Sequence, residues 1–329
     1  MGLKYSSFAI KGIDVSLYNG MIDWDQVIAS IDPDFTAMRA GYGIVTDNKF
    51  VENWMNSKCK INRMVYWYMD YYSHINGWTD KRYTDTEWGV AQAQKCWSLI
   101  KDDFEGVVWL DIESSSPAYA DTIQKVASRV NTIANAFLVE IDRLSDKMNG
   151  VYASVGQLSL FNSALKKRPL WVAWYNEYQT PNTVIAACCK AGWTGKVLIW
   201  QYASHGDIDS NGTPDGLSVG TQLKELDLNV WIGTNADYTE MWGDVIVTPE
   251  DETPIDEPVI EPVEQFVTRM ATANLALRAL PSVNSTLLGR WGIWRNVNVS
   301  KTLEPGVGSI KGWVKVEGQD AYMSADWLK

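Results

Sequence analysis

The chain has 329 residues, 29 of them basic and 40 acidic, for a net charge of −11. That length holds one large domain and one small one, and that charge argues against nucleic acid as the main partner. His74 and His205 are the only histidines, which excludes HExxH chemistry, and Cys59, Cys96, Cys188 and Cys189 show no CxxC spacing.

No stretch approaches about 18 consecutive apolar residues, so no membrane insertion is expected. The start, Met1-Gly2-Leu3-Lys4-Tyr5, lacks the apolar core of a signal peptide, so reduced thiols and synthesis in a cytosol are expected. The 17 Trp and 15 Tyr are read mostly as core, with some free to stack on sugar rings.

In chain order, apolar runs predict strands at 12–15, 35–40, 64–69, 107–112, 151–153, 170–174, 197–202 and 226–231. Eight strands with helical stretches between them fit a (β/α)8 barrel. The links after the first and sixth strands are thin, so one or two barrel helices should be short or missing. Thr84-Asp85-Thr86-Glu87 offers a capping box for one helix. From Asp121 onward, Ile123, Val126, Val130, Ile133, Phe137, Ile141, Leu144 and Met148 fall at helical spacing, with Gly150 as the expected C-cap.

The fourth strand is the informative one. Val107-Val108-Trp109-Leu110 runs straight into Asp111-Ile112-Glu113. Alternation puts Asp111 and Glu113 on one face with Val107 and Trp109. A buried carboxylate costs several kcal/mol unless paired or neutralised, so two at the end of a core strand suggest chemistry. The alternative is that both acids are solvated in the loop that follows. Asp14 closes the first strand and Asp227 lies in the last, so four acids converge on one barrel mouth. Tyr66 and Tyr68 share a face on the third strand, and Trp171, Ala173 and Tyr175 share one on the sixth.

Asp207-Ile208-Asp209-Ser210-Asn211-Gly212 opens like a calcium loop, with Asp215 at position 9. Position 12 is Ser218, not the bidentate Glu. A solvated Asp/Gly turn is the preferred reading, with calcium as the alternative, and no metal is assigned.

Over 245–265 the pattern changes to four prolines and seven acids with no base, an extended linker. Beyond it, 266–329 carries eight basic and four acidic residues and short strand-like runs at 274–278, 287–290, 297–300, 313–316 and 321–323. A small basic β module tethered to an acidic large one suggests a targeting device for an anionic polymer.

These residues resemble a known family. Lys11-Gly12-Ile13-Asp14-Val15-Ser16, with Asn19-Gly20 and Ile22-Asp23-Trp24, looks like the opening of family 25 glycoside hydrolases. Arg39-Ala40-Gly41-Tyr42-Gly43 with Asp47, Leu110-Asp111-Ile112-Glu113, Trp171-Val172-Ala173-Trp174-Tyr175, Trp200-Gln201-Tyr202 and Asp227-Leu228-Asn229 follow in family order. Together they cover nearly all of 9–232.

The resemblance implies a peptidoglycan muramidase on an irregular β/α barrel, cleaving the β-1,4 bond from N-acetylmuramic acid to N-acetylglucosamine without a cofactor. It implies Glu113 as general acid, Asp111 ionised beside it, and Asp14 and Asp227 as the other family acids. Which of those two stabilises the transition state or positions water is left open. Tyr66, Tyr68, Tyr152, Tyr175 and Gln201 are implied as sugar contacts.

In the tail, Asn274-Leu275-Ala276-Leu277-Arg278 with Pro281, and Gly312-Trp313-Val314-Lys315-Val316, resemble bacterial SH3-like wall-binding domains. Ala276 departs from the usual valine, and Ala321-Tyr322-Met323 replaces the closing GWV. The expected organisation is an α/β, irregular (β/α)8-type barrel over 1–244, a linker over 245–265 and a small all-β SH3-like barrel over 266–329. The expected partner is bacterial peptidoglycan, as substrate and as wall ligand, with self-association left open. The combination looks like a phage endolysin acting on the wall after release. A host autolysin of the same chemistry and a non-catalytic wall-binding barrel are the alternatives, and the intact acid set speaks against the latter.

Overall fold

The computed structural model describes residues 4–77, 83–114, 120–176, 178–209, 211–242, 266–279, 284, 286–291, 296–300, 311, 313–317 and 321–328. The expected linker at 245–265, Pro281 and Gly312 lie outside them. The chain divides into two compact units at Asp251/Glu252.

The first unit is an α/β barrel. Its strands are β1 (Lys11–Val15), β2 (Phe35–Tyr42), β3 (Val45–Thr46), β4 (Asn62–Tyr68), β5 (Val108–Asp111), β6 (Gly150–Ser154), β7 (Leu170–Ala173), β8 (Val197–Ala203) and β9 (Asp227–Trp231). All eight predicted strands form, each within two residues of its expected ends. Hydrogen bonding runs in the order β1-β9-β8-β7-β6-β5-β4-β2, and a β1–β2 pair closes the ring; β3 only extends β2 as a short hairpin. Most neighbours are parallel, but β9 is antiparallel to both β8 and β1. That reversal brings the beginning of β9 to the mouth where the other strands end, and Asp227 pairs in register with Asp14.

The two-residue alternation decides what fills the ring. Val107 and Trp109 point inward with Phe35, Ala37, Met64, Trp171 and Ile199, and these pack against Tyr238 and Met241. Val108, Leu110 and Ile112 point outward into the layer shared with the helices. The helices are α1 (Trp24–Ile31), α2 (Phe50–Asn56), α3 (Tyr72–Ile75), α4 (Asp85–Ile100), α5 (Ala120–Lys125), α6 (Ala127–Ser145), α7 (Pro181–Lys190), α8 (Gly216–Val219) and α9 (Asn235–Trp242).

α4 begins with the expected capping box: Thr84 accepts from the Glu87 amide while the Glu87 carboxylate accepts from the Thr84 amide. Gly89 lets α4 approach α6 closely, since a Cβ there would lie 2.3 Å from the Ile133 carbonyl oxygen. The long helix expected from Asp121 is interrupted at Val126 and ends at Asp146, whose left-handed φ of 53° serves as the cap. Gly150 is therefore not a helix cap. It opens β6, where a Cβ would fall 2.3 Å from the Trp109 ring. The thin links are also redistributed. After β6 two 3-10 turns, Val155–Leu160 and Leu165–Lys167, stand where a helix would be, while β7 leads to α7, capped by Thr180 with Pro181 in its first turn.

The second unit corrects the expected SH3-like barrel. β10 (Phe266–Met270) pairs with β13 (Asn296–Ser300), and a separate sheet runs β12-β11-β15-β14, from Leu287–Trp291, Leu275–Arg278, Tyr322–Ser324 and Trp313–Lys315. Among the described residues no ladder joins the two sheets, and only the isolated bridges Val299↔Val316 and Ala271↔Leu328 lie beside their strands, so they do not close. The physical reason is which edges pair. β14 and β15 are three residues each and form their ladders with each other and with β11, which leaves β13 an isolated bridge at Val299. Ala271, Leu275, Leu277, Val297, Val299, Val314, Val316 and Met323 form its core.

Candidate active site

The mouth of the barrel holds a cavity of about 1020 Å³. Asp14, Asp111, Glu113, Asp227, Tyr66, Tyr68, Tyr152, Tyr175 and Gln201 all line it, together with Arg39 and Trp171. The topology explains the convergence. β1, β4, β5, β6 and β8 deliver side chains at their C-terminal ends, and reversed β9 delivers Asp227 from its N-terminal end.

The hydrogen bonds are unevenly distributed among the acids. Asp14 is buried, and its Oδ2 accepts from Gln201 Nε2 at 2.8 Å and Asn229 Nδ2 at 2.7 Å. Gln201 Oε1 in turn accepts from the hydroxyls of Tyr152 at 2.6 Å and Tyr175 at 2.9 Å. Asn229 Oδ1 accepts from the Trp171 indole at 2.8 Å. Asp111 is equally buried, but its Oδ1 has no protein partner. The backbone carbonyl of Glu113 accepts from the Tyr71 hydroxyl at 3.0 Å.

Burial is the largest influence on all four carboxyls and favours their neutral forms. It carries Asp14 up to about 6, against the opposing pull of the Asn229 and Gln201 amides. Asp111 is pushed well above the usual carboxylate range by burial, then by the charges of Glu113 and Asp14, and Asp227 by burial, then by Asp14 and Glu113. Glu113 is raised by burial, with Tyr152 and Arg39 pulling the other way. Burial and the neighbouring carboxyls thus favour the neutral form of Asp111, as burial does that of Glu113. At the end of β5 Asp111 is buried and Glu113 is partly buried, so the two are not exposed in the loop that follows.

Sequence reasoning gave no role to Arg39, Asp47 or Asn229. Arg39 brings a guanidinium to the cavity, where it opposes the raised pKa values of Asp111 and Glu113. Its Nε donates to the wholly buried Asp47 at 2.8 Å, and Asp47 also accepts from the backbone of Leu17 and Lys49. The signal was a lone base inside the apolar run of β2. Asn229 was available from the alternation that places it on one face with Asp227. In the 207–215 loop, the carboxylates of Asp207, Asp209 and Asp215 accept from the backbone amides of Ile208, Asn211 and Gly212, the pattern of an Asp/Gly turn. Among the described residues no helix is long and apolar enough to cross a membrane.

Comparison with protein families matches residues 13–211 to "Glycosyl hydrolases family 25", well over half of the chain. The chain belongs to glycosyl hydrolase family 25. It is accordingly a glycoside hydrolase, and its function is that of a peptidoglycan-cleaving muramidase. Solved structures agree on the fold. A family 25 glycosyl hydrolase from Bacillus anthracis is 17% identical with a TM-score of 0.54, over 73% of this chain and 97% of that one. The bacterial lysozyme from Streptomyces coelicolor is 20% identical with a TM-score of 0.50, over 72% and 98%. The muramidase from Acremonium alcalophilum is 19% identical with a TM-score of 0.50, over 70% and 98%. A search of curated protein sequences finds no match.

Proposed function

We propose that Glu113 is the general acid for cleavage of the β-1,4 bond between N-acetylmuramic acid and N-acetylglucosamine, with Asp14, Asp111 and Asp227 completing the site. One observation carries this reading: Asp14, Asp111, Glu113 and Asp227 line a single cavity whose walls also carry tyrosines, Trp171, Arg39 and Gln201. Glycosidic cleavage needs a carboxyl that is still protonated near neutral pH and can give its proton to the leaving oxygen. Burial shifts Glu113 in that direction. The positive charge that develops on the sugar needs a nearby anion, and Asp14 is the carboxylate with two donors already in place. Tyr66, Tyr68, Tyr152 and Tyr175 offer ring faces and hydroxyls to the sugars. Tyr175, 55% exposed, stands nearest to solvent among them.

The test is digestion of Gram-positive peptidoglycan followed by borohydride reduction and sugar analysis. Muramitol is expected, because cleavage frees the reducing end of N-acetylmuramic acid. Glucosaminitol would reverse the bond assignment, and neither alcohol would refute the hydrolase reading of these acids.

The second unit is assigned to wall retention on the strength of its excess of bases and its wall-binding signatures, not of a closed barrel. Removing 266–329 is expected to cut retention on intact walls at least about tenfold, as loss of a tethered second contact does. Turnover of soluble fragments should stay within about twofold. Equal sedimentation of both forms with walls would overturn the assignment.

A further inference from the structure

The clamp on Asp14 distinguishes it from the other acids. Each amide that donates to it is locked from behind. The Trp171 indole N–H can only donate, so the group facing it must be the oxygen of Asn229. That leaves Nδ2 turned to Asp14. Gln201 Oε1 receives two hydroxyls, which leaves Nε2 turned to Asp14 as well. Rotating either amide by half a turn would set donor against donor and oxygen against oxygen. Both N–H groups fall on Oδ2, so Oδ1 is the oxygen left for the cavity that Asp14 lines. Among the described residues no side chain or backbone group donates to the carboxyl of Asp111 or Asp227.

We propose that Gln201 and Asn229 are positioning residues that hold Asp14 as the fixed anion of the site, so that Asp14, not Asp111 or Asp227, faces the positive charge of the transition state. This rests on the glycosidase reading above and names which of the family acids carries the charge. The groups facing Asp14 leave it that role. Asp111 and Glu113 at the end of β5 and Asp227 on β9 are acids whose burial favours the neutral form. Tyr66, Tyr152 and Tyr175 are phenols that burial keeps protonated. Arg39 on β2, which lines the cavity with Lys224, His205 and Glu225, is already tied to Asp47. Two preorganised N–H donors are a fixed dipolar environment for one negative charge, and they need no reorganisation as the sugar becomes cationic.

The test uses Gln201→Leu and Asn229→Leu, which keep side-chain volume but remove the donor. Two quantities are read on the full chain: the titration midpoint of Asp14 by carboxyl ¹³C NMR, assigned with Asp14→Asn, and the acid limb of kcat/KM on a soluble glycan fragment. Loss of one donor should raise the midpoint by about one pH unit, and the acid limb should move with it. At pH 6 kcat should fall about 10- to 100-fold with KM within about twofold, and part of the loss should return at pH 8. Trp171→Phe frees the Asn229 amide without removing it and should give a smaller shift of the same sign, so the clamp stays testable if a Leu variant does not fold.

An unmoved midpoint would overturn the clamp. A midpoint that moves while the acid limb stays would overturn the assignment of the charge to Asp14. An intact enzyme that cleaves neither glycosidic bond would instead sink the hydrolase reading, and the NMR titration would still decide the clamp.

Discussion

Glu113→Gln is expected to lower kcat on peptidoglycan by about 10²- to 10⁴-fold while leaving the thermal midpoint within about 2 °C. The magnitude is what general-acid catalysis contributes. Gln matches Glu in shape, so the barrel loses no packing, but an amide has no proton to give to the leaving oxygen. The same substitution should erase the alkaline limb of the pH profile. That limb reports loss of the Glu113 proton, and burial places it above the usual carboxylate range. Retention of more than about a tenth of wild-type turnover, with the alkaline limb intact, would show that another group is the acid. Substrates with a good leaving group sharpen the test. A leaving group that departs without protonation should restore much of the lost rate if Glu113 acts as acid, and little if its role is structural.

The path to Glu113 was legible because a strand has a period of two. Val107, Trp109, Asp111 and Glu113 could be put on one face from the sequence alone, and in the structure Val107 and Trp109 fill the barrel while Asp111 and Glu113 line its mouth. The eight strands were legible for the related reason that buried parallel strands are continuous apolar runs. The direction of β9 was not. Its apolar pattern is the same read either way, and only the closed pairing shows that Asp227 starts the strand and sits across from Asp14. Nor was the break at Val126, where a sound helical periodicity continues across a residue that leaves the helix. Periodicity marks a face, not an uninterrupted backbone. The tail shows the converse error: short strands with the right signature residues do not establish closure, because closure depends on which edges pair, and β14 pairs with β15 and not in a ladder with β13. Within the site, the residue types were legible and their charges were not. Which acid stays ionised depends on donors from β8 and β9, 187 and 215 residues away from Asp14 in the chain.

Asp111 makes the cost of this arrangement measurable. It is buried, its Oδ1 has no protein partner, and burial and then Glu113 and Asp14 hold its carboxyl neutral. In the unfolded chain the same carboxyl ionises near its ordinary value of about 3.9. A group whose folded pKa is raised binds its proton more tightly in the fold. It therefore subtracts nothing from stability below the unfolded value and subtracts progressively more as pH rises toward the folded one. Asp111→Asn removes that linkage without changing shape. The variant is expected to be more stable than the wild type at pH 7 by about 1–3 kcal/mol, which for a unit of this size raises the midpoint by roughly 2–4 °C per kcal/mol. At pH 4 the gain should shrink to about 0.5 kcal/mol, because there the unfolded carboxyl is already about half protonated. Activity should fall at the same time, since a carboxyl that lines the site beside Glu113 is lost. Thermal melts of both proteins at the two pH values give the answer directly. A gain of equal size at pH 4 and pH 7 would mean that the introduced amide simply packs or hydrogen-bonds better than the carboxyl. A loss at pH 7 would mean that Asp111 is ionised and stabilised in the fold, and the charge assignment at the barrel mouth would have to be reversed.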